Sequence, residues 1–332
     1  MYKEMVPLKE AFEKYFLIGA AASPDDLRLH SDILKKHFSS VTAENCMKFE
    51  PMHPAPDVWN FSDADELVRF GKENGIAIRA HAPVWHAQVG RWMFEDGPDG
   101  RVCRELLLER LEKHMKVFGD RYGESVYAWD VVNEAVADSG EEVLRNSDWK
   151  RIIGEDFMVC AFKIARKFVP ESVKLFYNDY NAFFPKKHEK IMKVLRYLQE
   201  NGAPIDGMGM QQHVNPSMSL DDVKRAIENY ASLGLRLHVT ELDVSLFPTR
   251  STGAEAITDR AIQKQYDFYV SLFEIYRSYS DVIDSVTTWG VCDNYTWLDG
   301  FPVRGRKNYP LLFHYDHEPK AYTRKIVEDA LK

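Results

Sequence analysis

Trp129-Asp130-Val131-Val132-Asn133-Glu134-Ala135 is the stretch on which the reading of this chain turns. It follows Val126-Tyr127-Ala128, so an apolar and aromatic run of strand character stops abruptly at an amide and a carboxylate, with no room for a helix in between. A buried strand is therefore expected to carry Asn133 and Glu134 to its C-terminal rim, where chemistry sits in a parallel barrel. A second run, Leu237-His238-Val239-Thr240-Glu241-Leu242-Asp243-Val244, also places a carboxylate at its far end. Two acids on two strand ends are the minimum equipment for hydrolysing a glycosidic bond.

Outward from these two stretches, short apolar strands alternate with amphipathic helices. Further strand-like runs fall at residues 16–23, 40–45, 76–81, 174–181, 207–213 and 283–290. Pro24-Asp25-Asp26 opens a helix, because proline and acids suit the first turn. Ser62-Asp63-Ala64-Asp65 is a capping signal for the next. Residues 103–118 carry Leu107, Leu111, Met115 and Phe118 at helical spacing. Other helices are expected at 157–168, up to the Asn201-Gly202 stop, from Ser219, at 261–276 and at 322–331. Eight strand-helix units predict an α/β protein, a closed (β/α)₈ TIM barrel, with residues 1–332 forming a single catalytic domain and no linker or appended carbohydrate-binding module. No glycine-rich strand-to-helix turn of the dinucleotide or P-loop kind occurs.

Composition removes several function classes. A chain of 332 residues with 45% apolar composition can bury a large core. The net charge of -8 is spread along the chain, which argues against nucleic acid as a partner. The start, Met1-Tyr2-Lys3-Glu4-Met5-Val6-Pro7, lacks the pattern of an export signal, and no apolar run approaches membrane-spanning length, so a cytoplasmic protein without membrane association is expected. Cys46, Cys103, Cys160 and Cys292 are far apart and read as buried thiols in a reducing compartment. No metal or cofactor is expected: the strand-end histidines form no His-x-His or His-x-x-x-His pair. Oligomeric state has no signature in these motifs.

Groups able to touch sugar hydroxyls recur at the downstream ends of nearly every strand: Glu44, Asn45, Lys48, His81, Asn133, Glu134, Asn178, Gln211, His213, Glu241 and Asp243. Trp85, Tyr180, Trp289 and Trp297 accompany them as flat apolar faces that suit pyranose rings. Trp59, Trp92 and Trp149 read as packing residues, and Met208 and Met210 as core filler.

In order and spacing, the Trp129–Ala135 stretch, His81 with Trp85-His86-Ala87-Gln88, Tyr177-Asn178-Asp179-Tyr180-Asn181, Gln211 with His213, Thr240-Glu241-Leu242-Asp243 and Thr288-Trp289-Gly290 closely resemble glycoside hydrolase family 10, the β-1,4-xylanases. The resemblance runs from the first strand to Tyr322. It implies an endo-1,4-β-xylanase acting with retention on xylan fragments and xylo-oligosaccharides, with Glu134 as general acid/base and Glu241 as nucleophile. It further implies that Asn133 meets the sugar 2-OH beside the cleaved bond, that Glu44, Asn45, Lys48, His81, Trp85, Gln88 and Trp289 hold sugars on the non-reducing side, and that the acceptor side begins at Tyr180 and Asn181. His213 and Asp243 are expected to tune Glu241 by hydrogen bonding. Residues 298–304 and His314 depart from the family pattern, at its outer subsites. Two readings stand against this one: a barrel glycosidase for glucan or mannan, which shares the two glutamates but not the Trp85-His86 and Trp289 settings, and a non-catalytic sugar-binding protein, which is expected to have lost one carboxylate.

Overall fold

The computed structural model describes residues 5–96, 100–248 and 257–332. Nine parallel strands are formed: β1 (Leu17–Ala22), β2 (Ser40–Ala43), β3 (Ala77–Val84), β4 (Ala128–Asn133), β5 (Lys174–Asp179), β6 (Gly207–Met210), β7 (His213–Val214), β8 (Arg236–Val244) and β9 (Ile283–Thr288). All but the two-residue β7 pair in sequence order, β6 with β8 and β9 back to β1, which closes an eight-stranded barrel. Helices lie between the strands, so the expected (β/α)₈ architecture is present.

Strands covered on both faces should read as continuous apolar runs. β2 and β4 are buried along their whole length. β1 passes close to its neighbours: a Cβ on Gly19 would lie 2.5 Å from Ser40 Oγ and Thr287 Oγ1, so any larger residue there would have to displace both side chains. Inside the barrel Arg79, 1% exposed, pairs with Asp130 of β4 and lies over the Phe176 ring. Asp130 also faces His81 Nδ1 at 2.9 Å, so this buried pair forms a floor that orients a rim residue.

The helix carrying Leu107, Leu111, Met115 and Phe118 spans Arg104–Tyr122, one turn beyond the expected end, and all four side chains are buried. Phe118 stacks on Trp129 of β4 at 4.2 Å, and full burial of each such side chain stabilises by about 1.5–3 kcal/mol.

The structure differs from the sequence reading in several places. The helix opened by Pro24 is two helices, Pro24–Leu29 and Ser31–His37, which meet at His30. β6 stops at Met210; Gln211 still bonds Asp179 and Glu241 through its backbone, Gln212 turns the chain with a φ of 60°, and strand pairing resumes in β7 with His213 opposite Asp243. β3 continues past His81 to Val84, which brings Trp85 directly onto the rim. All four cysteines are free, but only Cys46 and Cys292 are buried. Cys160 is half-buried, and Cys103 is exposed because it is the N-cap of the Arg104–Tyr122 helix, at the surface end of that element. Among the described residues no helix is long and apolar enough to cross a membrane.

Candidate active site

Glu134 stands one residue beyond β4 with a φ of 55°. A non-glycine residue is held in that left-handed region only when its surroundings over-determine it. Its N–H donates to the Asn178 carbonyl at 2.9 Å, continuing the β4–β5 ladder, while its own carbonyl accepts from Arg145 Nε at 3.2 Å. The turn aims the carboxylate across the rim. Trp85 Nε1 donates to Oε2 at 2.8 Å, Gln211 Nε2 donates to Oε1 at 2.9 Å, and His86 Nδ1 lies 4.0 Å from Oε2.

Glu241 is inside β8 and only 4% exposed. Its Oε1 accepts from Asn178 Nδ2 at 2.8 Å, and its Oε2 faces His213 Nε2 at 3.1 Å. The other edge of the imidazole, Nδ1, meets Asp243 Oδ2 at 2.8 Å, and the same oxygen accepts from Trp297 Nε1 at 2.8 Å. Burial alone would lower the basicity of His213, but the charges of Asp243 and Glu241 and their hydrogen bonds push its pKa up to about 10. Burial would raise Glu241, yet the hydrogen bond and charge of His213, with His81 and Asn178 adding to them, hold its carboxyl below the usual range. His213 is therefore a cation at neutral pH wedged between two carboxylates.

Asn133 connects the two halves. Its Oδ1 accepts from Asn178 Nδ2 at 3.0 Å and from Gln211 Nε2 at 3.3 Å, so each of these amides touches Asn133 and one of the two glutamates. Thr240 Oγ1 donates to Asn178 Oδ1 at 2.7 Å, which fixes which end of that amide faces Glu241. Glu134, Asn133, Asn178, Gln211, Glu241, His213, Asp243, Trp85 and Trp297 are thus one hydrogen-bonded unit.

The remaining sequence-derived residues surround that unit. Lys48 is buried with its Nζ 5.0 Å from the Trp85 ring centre and 2.8 Å from Asn45 Oδ1. Burial lowers its pKa, against the opposing charges of Glu241, Glu44 and Glu134. His81 meets Trp289 edge to face at 5.6 Å. Glu44 is half-buried and Asn45 exposed, farther out on the β2 side. Gln88 is half-buried, and its backbone carbonyl accepts from Glu50 N–H at 2.9 Å. Tyr180 belongs to a neighbouring cluster tied to Glu134 through Arg145: its OH donates to Asp138 at 2.5 Å and accepts from Arg145 at 2.8 Å, and Lys187 Nζ lies over its ring. Lys187 bridges Asp138 and the fully buried Asp179, each at 2.8 Å. Burial raises Asp179 to about 6 despite that cation.

Sequence reasoning missed several of these participants. Arg145 and Asp138 sit in the loop after β4, where no motif marks them, and Trp149 supports Trp85 by donating to its carbonyl at 2.8 Å. Asp130 and His86 lay inside quoted motifs without an assigned part.

A parallel barrel with two carboxylates toward its C-terminal rim, one just beyond β4 and one in β8, bridged by amides and ringed by indoles, defines a glycoside-cleaving class of protein. The chain belongs to glycosyl hydrolase family 10, whose model matches residues 7–329. It is 46% identical to endo-1,4-beta-xylanase A of Caldicellulosiruptor saccharolyticus, over 96% of this chain and 95% of that protein. It is 45% identical to endo-1,4-beta-xylanase B of Paenibacillus barcinonensis, over 99% of this chain and all (100%) of that protein. A solved mutant in complex with xylotriose superposes with a TM-score of 0.95 at 45% identity, covering 97% of this chain and 99% of that one.

Proposed function

We propose that this protein is a retaining endo-1,4-β-xylanase in which Glu241 attacks the anomeric carbon and Glu134 protonates the departing oxygen. The observation that carries the reading is the unequal dressing of the two carboxylates. Glu241 is backed by a cationic imidazole and an amide, which favours the ionised form a nucleophile needs. Glu134 receives only neutral donors from Trp85 and Gln211 and stands at the edge of the cleft, where a proton can be handed on. Once Glu241 is glycosylated, Glu134 serves as base toward water. Asn133, which accepts from Gln211 and Asn178, is read as the amide that meets the sugar 2-OH, as the family resemblance implies. The xylanase names of the full-length relatives and the xylotriose complex support xylan or xylo-oligosaccharide as substrate.

The test is time-resolved proton NMR of xylotetraose hydrolysis. Internal cleavage with the β-anomer appearing first is expected; first appearance of the α-anomer removes the double displacement. Glu241→Ala should abolish turnover of every substrate. Glu134→Ala should lose about 10²–10⁴-fold on xylotetraose and far less on a dinitrophenyl xylobioside, whose leaving group needs no proton. Equal losses on both substrates would remove the acid role from Glu134.

A further inference from the structure

His30, Cys292 and His317 come together where the chain leaves β1 and β9, with ligand atoms within 4.8 Å of one another. We propose that they form a binding site for a thiophilic divalent cation of the Zn²⁺ class, which ties together the two ends of the chain where the barrel closes. Their separations of 262 and 287 positions explain why no sequence spacing exposes them. The expectation of no metal was drawn from the strand-end histidines, and none of those three residues is among them.

The three groups are within reach of a tetrahedral site after local adjustment. His30 Nδ1 lies 2.7 Å from His317 Nε2, and Cys292 Sγ lies 3.9 and 3.8 Å from the two ring nitrogens of His30. Zinc bonds of about 2.0–2.1 Å to nitrogen and about 2.3 Å to sulfur need nitrogens about 3.3 Å apart and sulfur about 3.6 Å from each. The sulfur stands about 0.3 Å beyond that from Nδ1, and its nearly equal distance to Nε2 puts it over the ring, so the His30 ring must turn to aim Nδ1 at a metal shared with Cys292. The two imidazoles must part by about 0.6 Å, exchanging their mutual hydrogen bond for metal bonds. His317 can give that distance, since it is half-buried in the connection before the last helix, with a φ of 69°.

A second feature points the same way. His30 Nε2 lies 3.7 Å from Asp26 Oδ1, and Asp26 is itself fixed through Oδ2 by the Ser23 N–H at 2.8 Å and the Ser23 hydroxyl at 2.6 Å. At that distance the carboxylate faces the non-ligating nitrogen as a charge and not as a hydrogen-bond partner, and Nδ1, turned toward His317, is the ligating atom. The thiol gives up its proton to solvent as the sulfur–metal bond forms. Three protein ligands leave the fourth position to a water molecule.

His30 follows the first helix after β1, Cys292 follows β9, and β1 pairs with β9 at the closing seam. A cation here would clamp that seam and leave the glutamates untouched, so stability is the readout and xylanase activity the control.

The experiment uses the tag-free full chain, stripped with chelator and titrated with Co²⁺ and then Zn²⁺. One equivalent of Co²⁺ should give a thiolate-to-cobalt charge-transfer band that zinc abolishes. Zinc at 100 times its Kd should raise Tm by about 4 °C. Cys292→Ser and His317→Gln should each remove the band and the Tm rise while hydrolysing xylotetraose at the unaltered rate. Absence of a thiolate band, or a band that survives Cys292→Ser because exposed Cys103 supplies it, overturns the site. So does equal zinc affinity in His317→Gln. None of these results bears on the roles of Glu134 and Glu241.

Discussion

Replacing His213 with asparagine isolates what the cation between the two carboxylates does. Asparagine keeps a donor on the Asp243 side but ends short of Glu241, so the contact at 3.1 Å is lost and Glu241 keeps only its bond from Asn178 at 2.8 Å. The charge leaves as well, and the Glu241 and Asp243 carboxylates then face one another without a cation between them. A hydrogen bond to a charged group contributes about 1.5–3 kcal/mol, and each pKa unit corresponds to about 1.4 kcal/mol. His213 holds the Glu241 carboxyl down, so its removal lets that group take up a proton more easily. The acidic limb of kcat/KM should therefore move to higher pH by about 1–2 pH units, with a further fall of about 10- to 100-fold at neutral pH. The assay is the pH profile of dinitrophenyl xylobioside cleavage, whose leaving group makes Glu134 unnecessary in the first step. A uniform fall at every pH, with the acidic limb unmoved, would refute the reasoning and leave His213 as a packing residue.

The same cation has a stability consequence. Its pKa rises from 6.5 to about 10 on folding, so its contribution is complete below pH 6.5 and is lost as pH rises through 10. Tm of the unaltered protein should fall across that window, and the His213→Asn variant should lose this part of the slope. Arg145→Lys loses the fork that spans the Glu134 carbonyl, Asp138 and Tyr180. Its kcat on xylotetraose should drop about 10-fold, with a smaller change on dinitrophenyl xylobioside, because the defect lies in how the acid is held. Gly119→Ala should destabilise although alanine is the better helix former by about 1 kcal/mol. The added Cβ would lie 2.2 Å from the Phe168 carbonyl oxygen, and relieving such overlap costs about 1–3 kcal/mol, which a lower urea midpoint would register.

The barrel was legible because its strands are buried on both faces, so apolar residues such as Val131, Val132, Leu237 and Val239 give way sharply to polar rim residues. The position of Glu134 at a strand end follows from that pattern; its left-handed turn does not, since Arg145 and the Asn178 carbonyl impose it from elsewhere. The break between β6 and β7 was invisible because Gln211-Gln212 carries no proline or glycine, and the split at His30 was hidden for the same reason. Arg145 left no trace because it works through a backbone carbonyl, and the contacts of Lys187 with Asp138 and Asp179 join three separate elements. Cys103 misled because a cysteine is usually buried, whereas a helix cap is at the surface.

The central claim, that Glu241 is the group which bonds to the sugar, is met most directly by trapping it. A 2-fluoro xylobioside with a dinitrophenyl leaving group slows both steps but departs readily, so the glycosyl-enzyme accumulates and can be read by mass spectrometry of the intact protein and its peptides. The account predicts one fluoroxylobiosyl group per chain, on the peptide carrying Glu241, and none on the Glu241→Ala variant. A label on the Glu134 peptide, or turnover with no label at all, would contradict it.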